Sequence, residues 1–129
     1  MTGNDVLRHK VRVRYCETDC MGVAHHGSYV AWLEEARTEW MRARGMSYWE
    51  VEEAGYFLQV VSLELRYKSS ARYDEELVVV VAETARKRVS ITLGYEVLRA
   101  GDETLVATGE TTLACTDREG QVRRLPPGV

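Results

Sequence analysis

A chain of 129 residues, 45% hydrophobic and 29% charged, has the size and balance of one ordinary globular domain. Its formal net charge of −3 disfavours non-specific nucleic-acid binding as its main business, and no apolar run reaches the length of about 18 residues that a membrane span needs. The opening MTGNDVLRHK has no apolar core of the secretory kind, so the chain is expected to be cytoplasmic and not membrane-inserted.

Val11, Val13 and Tyr15 alternate with Arg12 and Arg14, which predicts a strand over 8–15 with the three apolar residues on one face. The stretch from Cys16 to Gly27 is turn-rich. From Ser28 the spacing changes to three- and four-residue steps through Val30, Leu33, Ala36, Trp40 and Met41, which predicts a largely buried helix. Ser28 is its expected N-cap and Gly45 the residue just past its end. Ser47 to Ala54 reads as a second short helix. Strands are then expected over 57–67, 76–85, 89–98 and 104–116, and a short one around Val122. Ala100-Gly101-Asp102 and Asp117 to Gly120 supply turns. One strand, one long helix and a run of antiparallel strands make an α+β layout in a single domain over 1–129.

Three cysteines, Cys16, Cys20 and Cys115, suit neither a disulfide framework nor, for want of a second pair, a structural zinc site. No phosphate-binding glycine loop, dinucleotide fingerprint or nucleophile elbow is present.

Chemistry concentrates between Tyr15 and Arg37, YCETDCMGVAHHGSYVAWLEEAR. Asp19 sits in a turn with Gly22, followed by His25 and His26 and then the start of the helix. A helix N-terminus offers unpaired N–H groups and partial positive charge for a developing oxyanion, and a carboxylate beside it can attack a carbonyl or activate water. The plain alternative is that Asp19 only closes an Asx turn. His26 offers its backbone N–H to an oxyanion or its imidazole to a water. A metal on His25, His26 and Asp19 is disfavoured, because adjacent histidines are expected to diverge. Glu34 and Glu35 lie on the helix, with Arg37 three residues beyond Glu34 and in reach of an ion pair. Arg86-Lys87-Arg88 is the densest basic run, and Arg123-Arg124 is a second.

Tyr15, Thr18, Asp19, Gly22, Val23, His26, Tyr29, Glu34, Ala36 and Arg37 together resemble the pattern of the hot-dog-fold acyl-CoA thioesterases. The most similar branches are the 4-hydroxybenzoyl-CoA thioesterase group and the bacterial thioesterases associated with the Tol–Pal envelope system. The resemblance implies a curved antiparallel sheet wrapped around one long central helix. It also implies a homodimer or homotetramer with active sites between protomers, and hydrolysis of an acyl-CoA thioester with no cofactor beyond the coenzyme A of the substrate. Asp19 would be nucleophile or general base and His26 its catalytic companion, with Gly22 and Glu34 in support. A second branch of the family takes its catalytic carboxylate from the helix that here carries Glu34. Tyr29, Lys68, Arg72, Arg86, Lys87, Arg88 and Arg123 would meet the substrate, the cations taking the phosphates of coenzyme A. In YKSSARYDEEL, Ser70 stands where the family usually has Pro, and His25 stands where close relatives often carry Tyr. Two other readings stay open at this point: a hot-dog hydratase or dehydratase on an enoyl or hydroxyacyl thioester, and a non-catalytic acyl-CoA binder.

Overall fold

The computed structural model describes residues 6–129. The reading of the opening residues therefore falls, for Met1 to Asp5, outside the described residues. The elements in chain order are β1 (Leu7–Arg12), a 3-10 turn (Tyr15–Glu17), α1 (Ser28–Ala43), α2 (Tyr48–Glu53), β2 (Phe57–Tyr67), β3 (Glu76–Arg86), β4 (Ser90–Arg99) and β5 (Leu105–Thr116). The strands form one five-stranded sheet in the order β1-β3-β4-β5-β2, antiparallel at every pairing. The two strands nearest the N-terminus thus become the two edges.

α1 buries Tyr29, Trp32, Leu33, Ala36, Trp40 and Met41, a stripe at three- and four-residue spacing, and lies over β1 and β3. The run Leu77–Ala82 of β3 is buried residue by residue, as a β-branched strand at the centre of the layers should be. On the sheet, Gly109 lets the helix approach closely. A Cβ there would lie 2.9 Å from Leu33 Cδ1 and 3.2 Å from Leu65 Cδ2. The other edge is bare. β2 bulges between Val60 and Ser62 and leaves Val60, Val61 and Leu63 exposed at 48%, 60% and 42%. No helix among the described residues is long and apolar enough to cross a membrane.

Several local expectations shift. The first strand stops at Arg12, not Tyr15, because Glu17 bonds the Arg14 amide at 2.8 Å and curls the chain into the 3-10 turn. Tyr15 therefore leaves the apolar face and points into solvent. Val30, counted on the apolar stripe, is exposed. The N-cap of α1 is Gly27, while Ser28 turns its hydroxyl away to donate to Glu17 O at 2.9 Å. Ser47 does cap α2, accepting from Glu50 N at 3.2 Å. The turn expected at Ala100-Gly101-Asp102 is present, and Glu103 beyond it takes the left-handed conformation (φ 61°). Val122 makes a single bridge to Thr116, not a strand.

Candidate active site

The loop from Thr18 to Gly27 is folded by its own polar groups. The Asp19 amide donates to Val23 O at 2.9 Å, and the Gly22 amide donates back to Asp19 O at 3.1 Å. Gly22 has φ 75°, a left-handed conformation that glycine adopts without strain. Oδ1 of Asp19 accepts from Met21 N at 2.8 Å and Val23 N at 3.2 Å. The Asx-turn role is therefore real, but it occupies one oxygen. Among the described residues Oδ2 accepts no hydrogen bond, and the side chain is exposed. The loop is moored against residues 71–73: Ala24 N donates to Ala71 O at 2.7 Å and Tyr73 N to Gly22 O at 3.0 Å.

The helix start is nearly saturated. The Gly27 amide donates to His25 Nδ1 at 3.1 Å, Ser28 N to His25 O at 2.9 Å, and Val30 N to Gly27 O at 3.2 Å. The His26 amide is left without an acceptor among the described residues. Its carbonyl is held from outside by the Tyr67 hydroxyl at 3.0 Å. The two histidine rings, expected to diverge, instead stack with centroids 4.3 Å apart, because His25 folds back to cap Gly27. No three His, Cys, Asp or Glu side chains gather as a metal site among the described residues.

A cleft of about 300 Å³ joins these groups, lined by Asp19, Val23, Ala24, His25, His26, Tyr29, Tyr67, Ser69 and Ser70. Tyr29 forms its buried wall, edge-on to Tyr67 at 5.0 Å. Burial pushes the Tyr29 hydroxyl above the ordinary tyrosine pKa, against a bond to the Ala71 backbone that pulls it down. The far wall is pinned by Arg99, whose Nε donates to Glu75 Oε2 at 3.0 Å and whose other nitrogens reach Ser69 Oγ and Ser70 O. Tyr67, Ser69 and Arg99 are missing from the sequence-derived set. Nothing in the spacing signals them, since each acts through a contact between segments distant in the chain.

The expected cations divide between two ends of the sheet. Lys68 and Arg72 are exposed beside the Asp19 cleft, Lys68 directly after Tyr67 and Arg72 bridged to Val23. Arg86, Lys87 and Arg88 lie at the opposite end of β3, a strand of 11 residues that is about 33 Å long at the usual extended rise. There Leu125 N donates to Arg88 O at 3.2 Å, so 86–88 and 123–124 meet. Arg86 is tied to Glu83 by bonds of 2.9 and 3.0 Å. Arg123 stacks on Tyr56 at 3.8 Å and donates to Gly55 O. Within one chain these residues lie at the other end of the sheet from Asp19. Glu34 is also removed from Asp19. It lines a separate groove between β1 and α1 with Arg12, Arg14 and Trp32, and Arg37 reaches the Tyr95 hydroxyl instead of pairing with it.

A sequence profile of the thioesterase-like superfamily matches residues 13–129. The chain is 36% identical over 121 residues to protein sll0410 of Synechocystis sp., covering 92% of this chain and 73% of that one. It is 31% identical over 125 residues to the acyl-CoA thioester hydrolase YbgC of Escherichia coli O157:H7, covering 96% and 92%. Among solved structures, the DHNA-CoA thioesterase of Staphylococcus aureus superposes with a TM-score of 0.89 at 32% identity, covering 93% of this chain and 80% of that one. The hot-dog layers, the Asp19 loop at the helix start and a profile match running from just past β1 to the C-terminal residue point the same way, and the chain belongs to the thioesterase-like superfamily.

Proposed function

We propose that this chain hydrolyses acyl-CoA thioesters to a free acid and coenzyme A. One observation carries the reading: a carboxylate oxygen and a helix-start N–H, both without partners among the described residues, belong to two residues that line the same cleft. The His26 N–H receives the thioester oxygen as it becomes an oxyanion. Asp19 Oδ2 either attacks the carbonyl carbon, giving an acyl anhydride that water then cleaves, or takes a proton from the water that attacks. In both routes the C–S bond breaks and the electrons leave on the thiolate of coenzyme A. Gly22 sets the loop geometry, and Tyr29 walls the acyl side of the cleft.

The working form is proposed to be a homodimer joined along β2. This strand is an uncovered apolar edge, which proteins otherwise blunt or pair. Antiparallel pairing of two β2 copies about a two-fold sets the Tyr67 end of one beside the Phe57 end of the other. Phe57 lies under Arg118, at the basic end that also holds Arg88 and Arg123. The partner's basic end then flanks Asp19, with Lys68 and Arg72 near by, and the phosphates of coenzyme A gain their cations across the dimer.

Free-thiol release from a panel of short, long and aromatic acyl-CoAs tests the reading. Release identifies a thioesterase and its acyl class. Enoyl-band absorbance change without thiol release identifies a hydratase and overturns it, as does tight binding with no turnover.

A further inference from the structure

Glu17 is the one buried charged side chain among the described residues, at 7% exposure. Its carboxylate accepts from Arg14 N at 2.8 Å, from Trp32 Nε1 at 2.9 Å and from Arg14 Nη2 at 3.3 Å. Its backbone carbonyl accepts from His25 N at 2.8 Å and Ser28 Oγ at 2.9 Å. One residue thus ties the end of β1, the second turn of α1 and both ends of the loop between them. Asp19 is two residues past it, and His26 directly follows the amide it holds.

A buried carboxylate is a poor choice for stability alone. Removing the charge from water costs about as much as its partners return, and an apolar side chain of similar volume often serves as well or better. What a carboxylate adds is direction: two oxygens that fix two donors from different elements at set angles. The indole of Trp32 is otherwise a packing residue of the α1 stripe, and its N–H is spent on this bond.

We propose that Glu17 is a positioning residue of this site, holding the Asp19 loop and the His26 amide in register through its bonds to Arg14, Trp32, His25 and Ser28. The proposal rests on the hydrolase reading above, in which Asp19 and the His26 N–H act on one carbonyl. A displacement of about 1 Å between such groups costs up to about 100-fold in rate while leaving remote binding untouched. In Glu17→Gln the amide oxygen replaces only one of the two carboxylate oxygens and an NH₂ faces the donors of the other, so either the bond from Arg14 N or those from Trp32 and the Arg14 guanidinium are lost.

The test measures thiol release from an acyl-CoA by the full chain with Glu17→Gln, Trp32→Phe and Asp19→Asn, alone and with Glu17→Gln combined with Asp19→Asn. The expected result is a fall in kcat of about tenfold to 100-fold for Glu17→Gln with KM within about twofold. A smaller fall of the same kind is expected for Trp32→Phe, which keeps an aromatic ring beside Tyr29, removes the donor and trims the buried ring. In the Asp19→Asn background the Glu17 substitution should lower the residual rate by clearly less than in wild type, because one of the two groups it positions is already gone and only the His26 amide remains to be displaced. A folded Glu17→Gln enzyme with wild-type kcat overturns the proposal. So does an equal fall in both backgrounds, which marks general loosening. If Glu17→Gln does not fold, Trp32→Phe decides: a wild-type kcat there overturns it. Full activity in Asp19→Asn sinks the underlying reading instead, so the two failures are told apart.

Discussion

Asp19 has two oxygens with separate duties, and two substitutions separate them. In Asp19→Asn the side-chain carbonyl still accepts from Met21 and Val23, at the 2.8 and 3.2 Å now held by Oδ1, while an uncharged amide replaces the partnerless Oδ2. In Asp19→Ala both duties end. A positioned base or nucleophile supplies about 10² to 10⁴ in rate, which is about 3–5 kcal/mol of barrier. Two exposed hydrogen bonds supply about 1–2 kcal/mol of stability together. Both variants should therefore lose at least about 100-fold in kcat. Only Asp19→Ala should also melt lower, by about 3–8 °C for a chain of this size, with Asp19→Asn within about 2 °C of wild type. Thiol release and calorimetry on the same preparations read both quantities. Wild-type turnover in Asp19→Asn would refute the catalytic duty. Equal melting losses in the two variants would refute the division of labour between the oxygens.

Other outcomes follow from the same geometry. Gly109→Ala sets a methyl 2.9 Å from Leu33 Cδ1, and Leu33 is itself fully buried, so a loss of about 1–3 kcal/mol in denaturant unfolding is expected; an unchanged midpoint would refute the close helix–sheet approach. Tyr67→Phe removes the bond to His26 O and should lower kcat by about threefold to tenfold with little change in KM; an unaltered kcat removes Tyr67 from the site. Val61→Lys places a charge on the bare bulge of β2 and should convert dimer to monomer in sedimentation with loss of activity; an unchanged mass would move the interface elsewhere. Burial pushes the Glu17 carboxyl up, but the bonds from Arg14 N, Trp32 and the Arg14 guanidinium carry it below its ordinary 4.5. Its folded form therefore gives up the proton more readily than the unfolded chain. The stability it supplies is present above pH 4.5 and is lost as the pH falls through the lowered value. Glu17→Gln should flatten that acid loss in urea titrations, and an unchanged slope would show the carboxylate to be uncoupled from folding.

The spacing of Leu33, Ala36, Trp40 and Met41 is enough to find α1, and the valine run of β3 enough to find a buried strand, because both signals come from burial on a fixed period. Asp19, Gly22 and His26 are legible for a similar reason: they lie within eight residues of one another, and local turn chemistry brings them together. What stays hidden depends on contacts between distant segments. Nothing near Tyr67 in the chain announces that its hydroxyl will meet the carbonyl of His26. Nor does the sequence around Arg86 reveal that β3 runs its whole length away from the cleft, because direction along a strand is set by pairing and not by composition. Ser28 misleads through a true preference. It is a good cap by type, but Glu17 O competes for its hydroxyl and His25 takes over its duty to the helix.

The strand order bears on how the chain is made as well as how it works. β2 leaves the ribosome before β3 and β4, yet its only partner strand among the described residues is β5, the last strand, with Phe57 opposite Thr116. Until that partner is complete, β2 has two open backbone edges, and its Val60, Val61 and Leu63 face water on a segment already long enough to pair with a stranger. A message cut short before Leu105 would yield a chain that keeps Asp19, His26 and Tyr67 and still has nowhere to put β2. Such a product is destined for the chaperone or the inclusion body, so the residues proposed to do the chemistry depend on a strand that supplies none of them.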